Sequence, residues 1–93
     1  MRKVTPLETG SLFETKRMEG TSGVSFPSHQ ASIESVLVVT EGRCIIKFPD
    51  VDHGLEAGDS FVVPADEWHQ VTADPDFKAV HIMQKEIEFV FSK

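Results

Sequence analysis

The run Val36-Leu37-Val38-Val39-Thr40 constrains this chain more than any other stretch. Four of its five residues are β-branched. Such side chains sit well on a pleated surface and are crowded in a helix. Glu41-Gly42-Arg43 follows and reads as a turn. Upstream, Pro27 removes a backbone donor and forbids a helix through that point. Residues 23–42 therefore read as an extended lead-in that enters a buried strand, with His29 at the entry.

The remaining segments repeat this pattern. Residues 1–10 mix Thr, Pro, Glu and Gly and read as a tail with a short strand at 3–7. Residues 11–18 read as a strand, and 19–23 as a turn. After the turn at 41–43, residues 44–48 form another strand. Residues 49–54 are rich in turn formers and read as a loop in which His53 is solvated. Residues 60–63 form a short strand that Pro64 ends. Residues 68–73 and 77–84 read as strands parted by a turn at Asp74-Pro75-Asp76, and 86–91 as the last strand. No amphipathic helix and no internal repeat appears. Closely spaced strands of this kind imply one all-β antiparallel sandwich or barrel over residues 1–93.

Composition narrows the function classes. Fifteen acidic residues against nine basic ones give a net charge of −6. The basic residues are scattered, which argues against a nucleic-acid surface. No apolar run approaches the ~20 residues of a membrane span. Arg2-Lys3 lacks the apolar stretch that would follow in a signal peptide. The single cysteine, Cys44, excludes an intrachain disulfide and reads as a small core residue. A reduced, cytoplasmic setting is expected.

Alternation assigns faces. Positions 29, 31, 33, 35, 37 and 39 are more apolar than their neighbours and are placed inside; Val38 points out. Cys44, Ile46 and Phe48 point in, as do His69, Val71 and Ala73. In the long strand near the C-terminus, Phe77, Ala79, His81 and Met83 point in, leaving Val80 and Ile82 outside.

Two spacings in the chain resemble the motifs of the cupin family. Gly23, His29 and Gly42 fall on positions of the first, G(X)5HXH(X)3,4E(X)6G. Ala31 stands at its second histidine and Ser35 at its glutamate. Gly58, Pro64 and His69 match the second, G(X)5PXG(X)2H(X)3N, with Asp66 and Ala73 as departures. The matched region spans residues 23–73. The resemblance implies a cupin-type jelly-roll barrel. It also implies a cavity bounded by His29, Ala31, Ser35 and His69, and face alternation adds His81.

Histidine is a common ligand for zinc, iron, copper and nickel. His29 and His69 are therefore the candidate metal pair. The family's carboxylate is missing, and Glu34 is one residue out of phase unless a bulge redirects it. The plain alternative is that each histidine bonds a backbone carbonyl or a water. The space freed by Ala31 and Ser35 could be filled by Phe26, Phe48 or Phe61, hold water, or admit a weakly polar ligand. Trp68 could wall its mouth or simply pack on the surface.

Loss of two of four ligands favours a stand-alone cupin that binds a small molecule with weak zinc, nickel or iron binding or none. The competing expectation is a metal-dependent dioxygenase or isomerase using His29 and His69. A sugar-sensing regulator would want a DNA-binding helix pair, which the sequence lacks. Finally, Val80, Ile82, Ile87, Phe89 and Phe91 exceed what a small interior can bury. A homodimer covering Phe89 and Phe91 is expected.

Overall fold

The β-branched run lies at the centre of the fold. In the computed structural model, which describes residues 1–92, it belongs to β4 (Ser35–Lys47), which pairs along most of its length with β7 (Gln70–Gln84). β7 pairs on its other side with β2 (Phe13–Gly20), which pairs with β1 (Arg2–Thr9). The free edge of β4 carries two short strands end to end: β6 (Ser60–Val63) beside residues 35–38 and β5 (Asp52–Glu56) beside residues 43–47. A second sheet pairs β3 (His29–Ala31) with β8 (Phe89–Phe91). All pairings are antiparallel.

Neither sheet closes on itself, so the expected closed barrel gives way to two facing antiparallel sheets. The six-stranded sheet stops at β1 and β5, each of which has one partner strand. The two sheets meet along the start of β7. There Phe26 N donates to Val71 O at 2.9 Å, and His29 and His69 exchange backbone bonds of 3.0 and 2.9 Å.

Two expected turns are corners inside continuous strands. Residues 41–43 do not end a strand. β4 bulges on both sides of Glu41-Gly42, with Gly42 at φ 69°, and continues. The bulges switch the inward set from Leu37 and Val39 to Cys44 and Ile46. Residues 74–76 likewise form the bend of β7 opposite that corner. The loop expected at 49–54 contributes its second half to β5, because residues 52–54 find partners on β4. The short strand expected at 3–7 runs longer, over Arg2–Thr9, and takes up most of the expected tail. The last strand is shorter than expected, since Lys85-Glu86 turns before β8.

The core is built by the inward face of the six-stranded sheet together with Phe26 and follows the expected faces: Leu37, Val39, Cys44, Ile46, Phe77 and Ala79 are each no more than 2% exposed. Phe26 meets Phe77 edge-on at 6.0 Å. Val36, Val38, Val80 and Ile82 lie half-buried on the opposite face of the large sheet, where Val62 joins them, 56% exposed.

Candidate functional site

His29, His69 and His81 come together at one end of the space between the sheets. Register explains the convergence. His29 and His69 are a bridged pair, one at the start of β3 and one just before β7. His81 lies farther along β7, paired with Leu37 on one side and Lys16 on the other. The three imidazoles line a cavity of about 250 Å³. Its remaining wall is apolar apart from Lys16 and includes Phe26, Leu37, Val63, Val71 and Phe89.

Each ring is fixed by one hydrogen bond. His29 Nδ1 donates to Pro27 O at 3.0 Å, and His69 Nδ1 donates to Glu67 O at 2.9 Å. A carbonyl can only accept, so both Nδ1 atoms carry the proton. In the neutral rings this leaves a lone pair on each Nε2. Among the described residues neither Nε2 has a hydrogen-bond partner, and no buried side-chain nitrogen or oxygen is left unpaired. Both Nε2 atoms therefore reach open space. The two rings stand edge to face at 4.4 Å, and Phe89 and Phe91 flank His29 at 5.4 and 5.5 Å.

His81 is tied differently. Its Nε2 and the Ser35 hydroxyl are 2.7 Å apart. Burial pushes the His81 pKa down to about 4, helped by His29, His69 and Lys16 nearby. Burial also lowers the pKa of His69, partly offset by the Glu67 carbonyl that receives its Nδ1 proton. His81 is thus neutral at pH 7 and its Nε2 is engaged.

The expected cavity set is corrected at two positions. Ala31 and Ser35 are buried but are not among the residues that line the cavity. Ser35 lies behind His81, and its hydroxyl is spent there. The position where the cupin motif has its glutamate thus serves to hold a histidine. Glu34 is exposed, so no bulge turns it inward.

These donors do not fit the metal that the motifs imply. Among the described residues no group of three or more His, Cys, Asp or Glu side chains is placed to hold an ion. His29 and His69 supply two nitrogens, no carboxylate joins them, and His81 turns its Nε2 to Ser35.

Other expectations resolve plainly. Trp68 is 37% exposed and lies outside the cavity wall. Phe48 and Phe61 pack on the far side of His69 and leave the cavity unfilled. His53 is half-buried rather than solvated, because its place on β5 sets its ring 5.7 Å from Phe48 and 4.9 Å from Phe61. Lys16 and Phe89 went unread as wall residues. Residues 11–18 show no clean period from which to place Lys16, and only the fold-back of β8 onto β3 brings Phe89 to the histidines.

Similarity to known proteins agrees with this architecture. Residues 15–83 match the family described as "Cupin domain". Among solved structures, a cupin superfamily protein from Desulfitobacterium hafniense DCB-2 superposes with a TM-score of 0.82 at 19% identity, over 90% of this chain and 77% of that one. A cupin-2 domain containing protein from Shewanella frigidimarina NCIMB 400 gives 0.77 at 24% identity, over 87% and 80%. A salicylate 1,2-dioxygenase from Pseudoaminobacter salicylatoxidans, solved with gentisate, gives 0.84 at 16% identity; the match covers 98% of this chain and 29% of that one. At these identities the likeness concerns the fold. No curated protein matches the sequence.

Proposed function

The chain belongs to the cupin domain family, and from that premise we propose that it binds a small, largely apolar molecule between its sheets and needs no metal to do so. One observation carries this reading: an apolar cavity of about 250 Å³ into which two tethered imidazoles open. The volume equals roughly eight waters at about 30 Å³ each. It suits a ligand smaller than a typical drug molecule. The histidines then act as hydrogen-bonding groups in a binding site rather than as ligands of a catalytic ion. The domain works as a single unit in a cytoplasmic setting.

Histidine-resolved NMR tests the reading against a library of small aromatic and aliphatic fragments. Binders should shift the ring signals of His29 and His69 and leave those of His53 unmoved. A library that perturbs neither cavity histidine overturns it. Chelator added to tag-free protein should leave the melting temperature unchanged, because only a bound ion could stabilise the fold by mass action. A drop of several degrees restores the metal-dependent enzyme.

We also propose a homodimer, with one change from the sequence expectation. β8 pairs with β3 of its own chain, so Phe89 is half-buried without a partner. The outer face carrying Val62, Val80 and Ile82 is the better seat for a second copy. Light scattering on Val62→Lys should report a monomer where the wild type is a dimer. A wild-type monomer at micromolar concentration removes the proposal.

A further inference from the structure

The cavity has a sign. Among the described residues its wall contains one ammonium group and three imidazoles, and no carboxylate. This stands out in a chain of net charge −6. Lys16 reaches the wall because β2 places it directly across from His81 on the inward face. Among the described residues its one ion-pair partner is Glu14, at 4.0 Å, and the Glu14 side chain keeps 27% of its surface exposed. At 4.0 Å the pair is at the outer limit of an ion pair, so Glu14 neutralises Lys16 incompletely. An ammonium beside an apolar cavity, with no carboxylate in the wall, attracts an anion more strongly than the same group in bulk water.

From this geometry we infer that the ligand is a small apolar monoanion, such as an aromatic or short-chain carboxylate, held by Lys16. The inference rests on the binding reading above and adds the chemical class. It also orients the ligand. In their neutral forms the rings of His29 and His69 present Nε2 lone pairs, which repel a carboxylate and accept from a hydroxyl or N–H. The anionic end therefore lies on the Lys16 side and the apolar body against Leu37 and Phe89. Any donor on the ligand faces the histidine pair.

Three probes of matched shape decide the matter: benzoate, benzamide and benzylamine, the last cationic at neutral pH. Each is titrated into the full chain by calorimetry and by histidine-resolved NMR at low salt. Benzoate should bind roughly tenfold more tightly than benzamide, the usual size of a charge-assisted contact, and benzylamine most weakly. Lys16→Met should remove the preference for benzoate over benzamide, bringing the two affinities to within about twofold of each other. Glu14→Gln, which frees Lys16, should strengthen benzoate binding about twofold; this near-isosteric change keeps the test decisive if Lys16→Met folds poorly. Equal binding of benzoate and benzamide, or a preference for benzylamine, overturns the anion and leaves the binding cavity standing. Absence of all three from the cavity histidines takes the cavity reading down with it.

Discussion

The two ends of the interior are walled by the same strands, β4 and β7, yet one is solid and the other hollow. At the solid end Val39, Cys44, Ile46 and Ala79 are at most 1% exposed. Small residues there face a large ring: a Cβ on Gly20 would stand 2.9 Å from Phe77 and 3.3 Å from Ala73. Volumes interlock, as close packing requires. At the hollow end Phe26, Leu37 and Val63 could close the gap if the histidines moved inward. They do not, because His29 and His69 are each anchored to a carbonyl two residues back and His81 to Ser35. The hollow is maintained by hydrogen bonds that hold rings against the wall. It does not reflect a shortage of apolar residues.

The corner that joins the ends is the first place to break this arrangement. A Cβ on Gly42 would lie 1.8 Å from the Asp76 carbonyl oxygen, at a backbone φ of 69°. Gly42→Ala therefore combines left-handed strain with a backbone overlap that no rotamer relieves. A loss on the order of 4 kcal/mol is expected in urea titration, a large part of the stability of a small domain. A Gly42→Ala protein with an unchanged urea midpoint would show that the corner can open without cost.

Paired truncations sharpen the contrast. Ile46 and Leu37 are both essentially buried, but only Leu37 borders the cavity. Ile46→Ala should cost about 4 kcal/mol, near the upper part of the range for large-to-small core changes, and Leu37→Ala about 2–3 kcal/mol. The cost grows with new void volume and lost contacts, and Leu37 has fewer contacts to lose because one side already faces a void. Denaturant midpoints measure both. Equal costs, or a larger one at Leu37, would mean that the hollow is filled in solution.

How far the sequence discloses this contrast depends on whether the deciding contact is local. The inward set Leu37, Val39, Cys44, Ile46, Ala79 and His81 is readable because alternation is a property of one strand. The cupin spacing locates His29 and His69 for the same reason. The corner is not readable. Glu41-Gly42-Arg43 carries the same signal whether the chain reverses or bulges, and only Asp76 and Phe77 across the sheet decide. Asp74-Pro75-Asp76 is its counterpart on β7. His53 reads as solvated because the turn formers before it dominate, while its place on β5 depends on Ile46 opposite. Lys16, which gives the cavity its sign, carries no mark in its own segment.

Acid should separate the two ends, with an effect spread over more than two pH units. His81 is held neutral in the folded protein, with a pKa pushed by burial from 6.5 to about 4. Between those values the unfolded chain binds a proton that the folded chain refuses. Stability from this group is therefore complete above about pH 6.5, falls as pH drops toward 4, and is gone below it. The loss amounts to at most about 3 kcal/mol, and His69, shifted the same way, adds to it. The solid end contributes nothing in this window: its titratable core residue is Cys44, whose thiol burial raises to about 11. Replacing His81 alone would strand the Ser35 hydroxyl, so the clean comparison is the double change His81→Phe with Ser35→Ala. Urea midpoints of the wild type should decline between pH 6.5 and 4 more steeply than those of the double variant. The difference should vanish above pH 7, apart from a constant offset from repacking. Parallel pH profiles would show that His81 is not buried neutral, and that the hollow end is wetter than its hydrogen bonds imply.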